Sequence, residues 1–309
     1  MTNNEILKRY YEEFCAPLIF VNETNLDDNK NIKVYLYNFS TQQELENFKI
    51  VYQAYLPYYV QNMDRINFLN INDTMCNLEL TDLLKREAKK LYDLTNQNIV
   101  HRTTGTNGMF GELLNHFHLI NVLSNNPFLA YLSRKNYKSN EEAKGIDIAV
   151  CNFHDKELEV IFSESKFVAD CFNAKTKLIE DIAIHIKAKE INNFGQFILG
   201  NNDAVKSYRN TELNNIVNKL NKKMCTEDKS FIQSINEING KIKFVFFAVF
   251  QQNTKRNIDD FKKNIEEIIT EFKYKIIDIG LAKYDVEIVF IPTFNTSMTI
   301  KNKMEEGLV

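Results

Sequence analysis

The chain reads as an α/β protein, a mixed central sheet flanked by helices and preceded by an N-terminal α/β extension. Three observations predict this. "KIKFVFFAVFQ" (241–251) is almost wholly apolar, as expected of a central strand covered on both faces. "NIDDFKKNIEEIITEF" follows, with Ile258, Phe261, Ile265, Ile268 and Phe272 at helical intervals and Asn257 as cap, and "YDVEIVFIPTF" returns as a strand. Strand, helix, strand at this spacing is a βαβ unit and favours a parallel pair. Ahead of it, one helical and three strand-like segments run in succession. The organisation expected is an extension over 1–100 and a core over 101–309 that ends in the βαβ unit.

In chain order, "APLIFVN" and "NIKVYLYNF" run apolar or alternate like strands, separated by the polar "NETNLDDNKN". A helix is predicted from about Thr41, with Leu45, Phe48, Tyr52 and Leu56 on one stripe, interrupted at Pro57. "TDLLKREAKKLYDL" is a second, with Thr81 as N-cap and Leu84, Ala88 and Leu91 in line. "GTNGMFGELLNHFHLINVL" passes from a turn at Gly105, Gly108 and Gly111 into a helix that Glu112 opens. "FLAYLSRKNYK", "GIDIAVCN" and "LEVIFSESKF" are three strands, the last two joined as a hairpin by a turn at Asn152 to Asp155. "AKTKLIEDIAIHIKAKEI" is amphipathic through Leu178, Ile182 and Ile186. A helix over about 205–223, a loop from Thr226 to Gly240 and a polar, mobile tail after Thr296 complete the expectation.

Composition excludes several classes. Apolar residues make up 44% of the 309 and charged residues 26%, which is globular rather than disordered. Net charge is −3, so nothing marks the whole molecule as a polyanion binder, and nucleic acid would need a local basic rim or a partner. Lys135, Lys138 and Lys144, with Lys175, Lys187 and Lys189, are candidates for such a rim. The first residues carry acids and no apolar core, unlike a signal peptide, and the longest apolar run is far below the roughly 20 residues of a membrane helix. Five scattered cysteines show no metal-site spacing, so reduced thiols and a cytoplasmic location are expected.

Chemistry concentrates in "KELEVIFSESKF" (156–167). Period-2 alternation puts Leu158, Val160, Phe162, Glu164 and Lys166 on one face, which begins apolar and ends charged. If the hairpin registers as drawn, Asp147 meets Glu164 and Lys166 at one end of the sheet. Two close carboxylates repel, and burial raises their pKa values. A divalent cation such as Mg²⁺ removes the conflict, accepting a few carboxylate oxygens and keeping several waters. Lys166 could then orient a water or stabilise charge on a phosphate, which completes a site for phosphodiester hydrolysis. The competing reading is a strand end that emerges into water with a surface ion pair worth ~0–1 kcal/mol. Glu112, one turn before His116 on the preceding helix, could complete the metal site or hold Lys166, or could simply favour the helix dipole. His116 and His118 lack a third ligand and read as structural or surface residues. A Cys151 or Cys171 nucleophile would need an activating histidine, and spacing places neither His154 nor His185 beside one. The glycines are not followed by the Lys-Ser/Thr of a phosphate-binding loop.

The ordered set of a helix with Glu112, a strand with Asp147, a strand with Glu164 and Lys166, then a helix and an apolar strand resembles the PD-(D/E)xK nuclease superfamily. Its restriction-endonuclease-like α-β-β-β-α-β core matches the element order from about 105 to 250. More narrowly, "GELLNHFHLINVL", "KGIDIAV" and "IFSESKF" are similar to the HamA family, the nuclease subunits of Hachiman anti-phage systems. Ile146 stands where the superfamily pattern has proline before the aspartate. The resemblance implies a DNA endonuclease dependent on Mg²⁺ or Mn²⁺ that acts with a HamB-like helicase, which restrains it until infection is sensed. It implies that Asp147 and Glu164 bind metal with the Ser165 carbonyl as a further ligand, that Lys166 positions or activates the attacking water, and that Glu112 supports the site. A second class stays open, a nuclease-fold module whose task is to dock and regulate a helicase.

Overall fold

The computed structural model describes residues 18–25, 30–38, 44–49, 51–52, 89, 106–119, 127–132, 146–168, 173, 176–181, 191, 194–195, 211–251 and 258–307. Its centre is a seven-stranded mixed sheet made of β1 (Leu18–Asn25), β2 (Asn31–Tyr37), β3 (Pro127–Leu132), β4 (Ile148–His154), β5 (Glu157–Val168), β6 (Lys241–Gln251) and β7 (Asp285–Thr293). The spatial order is β1-β2-β7-β6-β5-β4-β3. Strands β2, β7, β6 and β5 are mutually parallel, while β1 and the pair β4 and β3 add antiparallel edges. The N-terminal strands thus extend the same sheet, through β2 against β7.

The apolar run 241–251 is the middle strand of the seven. Phe244, Phe246, Ala248 and Phe250 enter one core and Val245, Phe247 and Val249 the other, which is why no polar alternation appears. Each such Phe or Val side chain taken out of water contributes about 1.5–3 kcal/mol, so β6 anchors both layers. The predicted βαβ unit is present: β6 and β7 pair in parallel across α4 (Ile258–Asp278), whose Ile265, Ile268 and Phe272 are buried.

The first core also takes in Leu178 and Ile179 from the helical residues 176–181, Leu213, Val217 and Leu220 from α2 (Thr211–Asn221), Phe231 and Ile235 from α3 (Phe231–Glu237), and α4. The second core lies under α1 (Thr106–His118), the helical residues 44–49 and 51–52, and α5 (Ser297–Glu305). Glu44 ties that layer together. Its buried carboxylate accepts hydrogen bonds from the Thr293 hydroxyl, from Asn295 Nδ2 at 3.2 Å and from the Phe294 N–H at 3.4 Å. No helix among the described residues is long and apolar enough to cross a membrane.

Several expectations are corrected. Helix α1 starts at Thr106, so Gly108 and Gly111 are helical and Glu112 stands in the second turn rather than at the opening. The hairpin turns at Asp155 and Lys156, both at positive φ (50° and 67°), not at Asn152 to Asp155. This is the left-handed pair that a two-residue hairpin loop requires, filled here by residues without the usual glycine signal. The supposed loop before β6 contains α3, opened by a capping box in which Ser230 and Gln233 satisfy each other's main-chain N–H. The helix expected over 205–223 begins at Thr211 within the described residues and continues as a π-helical turn over Lys222–Thr226. The polar tail is α5, capped by the Thr296 hydroxyl and held by buried Ile300 and Met304. Of the second predicted helix only Lys89 is described, and it is helical. Leu56, Pro57, Gly105, Gly145, Ile182, Ile186, Asn257 and the six candidate rim lysines lie outside the described residues.

Candidate active site

Strand β5 outruns its hairpin partner. The β4–β5 ladder ends at Ile148↔Ser163, whereas β5 stays paired with β6 as far as Val168↔Phe250. Along β5, Leu158, Val160 and Phe162 enter the first core, and alternation directs Glu164 and Lys166 to that same face. Ser163 and Phe167 face the opposite layer, where the Ser163 hydroxyl lies 2.9 Å from Asn115 Oδ1 and Phe167 packs edge-on against Phe110 of α1.

Asp147 occupies the bend that leads into β4, one residue before the ladder begins. Its Oδ2 accepts the Ser165 main-chain N–H at 2.8 Å and the Ser165 hydroxyl at 2.9 Å. The two bonds fasten the carboxylate to the free edge of β5. The main-chain N–H and C=O of one strand residue point to the same edge, so the Ser165 carbonyl faces the Asp147 side as well.

Glu164 is 2% exposed, so its carboxylate does not emerge into water, while Lys166 beside it is partly exposed. Its Oε1 accepts from Lys166 Nζ at 2.8 Å, and its Oε2 is buried without a hydrogen-bond partner. Burial raises its carboxyl well above the ordinary value, and the nearby Asp147 charge raises it further; the Lys166 ammonium lowers it but does not prevail. An orphaned carboxylate oxygen beside a second carboxylate is a costly arrangement that a cation would relieve.

Lys166 also contacts Asp181, which sequence reasoning missed. Asp181 belongs to the helical residues 176–181, whose Leu178 and Ile179 are buried in the first core. Desolvation alone would lower the Lys166 pKa, but Glu164, Asp147 and Asp181 together raise it. The ammonium therefore stays charged across neutral pH. The available signal was an acid three residues beyond buried Leu178, on the edge of the apolar stripe.

Glu112 is half-buried on α1, in the layer on the other side of β5 from the Glu164 and Lys166 side chains. Its neighbour Gly111 seats the helix on β5: a Cβ there would lie 3.7 Å from the Lys166 carbonyl carbon and the Phe167 nitrogen. A methyl group there would be in ordinary van der Waals contact with the strand.

His116 and His118 are buried, as structural rather than surface residues. Desolvation lowers both to about 3, so both rings are neutral. His118 Nδ1 and the Tyr37 hydroxyl share a 2.8 Å hydrogen bond. Cys151 is fully buried, which pushes its thiol pKa up and leaves it inert. His154 instead pairs with Asp155 at the exposed turn, at 2.7 Å, while Cys171 and His185 lie outside the described residues. Among the described residues no group of three or more His, Cys, Asp or Glu side chains forms a metal cluster. What the fold brings together is Asp147, Glu164, Ser165, Lys166 and Asp181.

The family model for HamA matches residues 12–307. The chain belongs to the HamA family. That span takes in every strand of the sheet and all five residues of the cluster. Membership in the HamA family makes the protein a component of a Hachiman anti-phage defence system. No curated protein matches the chain.

Proposed function

We propose that this HamA-family chain is a metal-dependent DNA endonuclease of PD-(D/E)xK architecture, the effector of its defence complex, held in check by a helicase partner. The observation that carries the reading is the buried Glu164 carboxylate beside Asp147, with one oxygen unpartnered and the other on Lys166. A surface ion pair needs none of this burial. A catalytic centre does.

The donor set fits a hard divalent cation. Asp147, Glu164 and the Ser165 carbonyl offer oxygen ligands and leave positions for water and phosphate, as Mg²⁺ prefers. When bound, such an ion supplies an acidified water and neutralises charge on the phosphate. The chain's own residues do the remaining work. Ser165 orients Asp147 through two hydrogen bonds. The apolar half of β5 fixes Glu164, and α1, the helix that carries Glu112, backs the same strand from the other layer. Lys166, charged at neutral pH, donates hydrogen bonds to the attacking water or to a phosphate oxygen as negative charge builds.

The test is plasmid cleavage with Mg²⁺ by the purified protein, alone and with its helicase partner, beside Glu164→Ala and Lys166→Ala. Cleavage by wild type with loss in both variants supports the site. Equal nicking by all three overturns it. No nicking under any condition would favour a nuclease-fold module that docks and regulates the helicase.

A further inference from the structure

We propose that Asp181 is a positioning residue: it holds the Lys166 ammonium so that Glu164 can turn its carboxylate to a divalent cation. The inference deepens the nuclease reading and rests on it for the cation; the rest is geometry. Lys166 Nζ bridges two carboxylates, Glu164 Oε1 at 2.8 Å and Asp181 Oδ2. An ammonium has three donors, so both bonds form at once. Glu164 thus spends one oxygen on the lysine, while the other is buried and bare.

A cation at Glu164 sets a second positive charge beside Lys166, and the two compete for one carboxylate. Without a further anion, repulsion would either expel the ion or drive the lysine out of the site. Asp181 is that anion. It comes from a separate element, the helical residues 176–181, located by Leu178 and Ile179 in the first core. Its place is therefore set by packing, and it can keep the ammonium near the reacting atoms after Glu164 has turned away. Asp181 touches neither the cation nor the substrate in this scheme and acts through Lys166.

Calorimetric titration of Mn²⁺ into the full chain, with Asp181→Ala, Asp181→Asn and Asp181→Glu in wild-type and Lys166→Met backgrounds, tests this. Asp181→Ala is expected to weaken Mn²⁺ binding about fivefold or more, and the loss should vanish in the Lys166→Met background. Asp181→Glu should restore part of the affinity, and kcat for DNA cleavage should fall in Asp181→Ala with KM for DNA unchanged. Unaltered affinity in Asp181→Ala, or an equal loss in both backgrounds, overturns the proposal. Should Asp181→Ala fail to fold, the isosteric Asp181→Asn carries the same expectations. Wild type that neither binds Mn²⁺ nor cuts DNA overturns the nuclease reading as well. Wild type that does both while the Asp181 variants match it overturns only the role of Asp181.

Discussion

The Asp147 carboxylate is tied to the neighbouring strand at a single residue, taking both the main-chain N–H and the hydroxyl of Ser165 at 2.8 and 2.9 Å. Each hydrogen bond to a charged group is worth about 1.5–3 kcal/mol. Ser165→Ala removes one of the two and keeps the main-chain bond. The carboxylate then keeps its place but loses its angular restraint, and cleavage should fall about tenfold, equivalent to ~1.4 kcal/mol in the barrier. Cleavage kinetics at saturating Mg²⁺ would measure it, and a melting temperature close to wild type would separate orientation from stability.

Glu164 sets a pH dependence of defined sign. Its folded pKa lies above the ordinary 4.5, through burial first and Asp147 second. In cation-free protein its contribution to stability is therefore complete below pH 4.5 and is lost as the pH rises toward the folded value. Glu164→Gln, neutral throughout, should melt higher than wild type at pH 7.5 in EDTA, with the gap closing near pH 4.5. Mg²⁺ at about a hundred times its Kd should stabilise wild type by ~2.7 kcal/mol and Glu164→Gln hardly at all. Scanning calorimetry with and without Mg²⁺ checks both.

His118 works in the other direction. Its folded pKa is about 3 against an ordinary 6.5, so its stabilising contribution is complete above pH 6.5 and is lost as the pH falls toward 3. At pH 5 the loss should be about 2 kcal/mol. His118→Asn can still partner the Tyr37 hydroxyl and does not titrate. The drop in unfolding free energy between pH 7 and pH 5, read from urea titrations, should shrink by about that amount in the variant.

Lys156 is strained. It holds φ 67° in the β4–β5 turn, after Asp155 at φ 50°. Left-handed backbone costs a non-glycine residue roughly 1–2 kcal/mol, with aspartate the more tolerant of the two. Lys156→Gly creates the favoured Asp-Gly turn and should stabilise the protein by about 1 kcal/mol. The exposed Lys156–Glu212 pair that is lost, at 3.1 Å, contributes little. Denaturant unfolding would show a higher midpoint at unchanged slope.

Patterns with a short period were legible in the sequence. Alternation along Leu158, Val160 and Phe162 gave the face of β5, and the apolar run of β6 gave its central place, because each depends on a residue and its immediate neighbours. Helices α3 and α5 were missed although each carries a local cap, Ser230 with Gln233 and the Thr296 hydroxyl. Their apolar stripes are short, and polar composition outweighed the caps. The turn at Asp155 and Lys156 was misplaced because its positive φ values fall on residues that do not advertise them.

By itself, then, the sequence determined which strand ends in Glu164 and Lys166, and that Asp147 lies across a hairpin from them. Period-2 geometry and a short connection leave little choice there. Tertiary structure alone decided that Glu164 would be buried with one oxygen bare, that Asp147 would be fastened through Ser165, and that Asp181 would share the lysine. Those relations depend on where a helix settles against a sheet and where a ladder stops. Contacts between distant segments set both, and no local pattern encodes them.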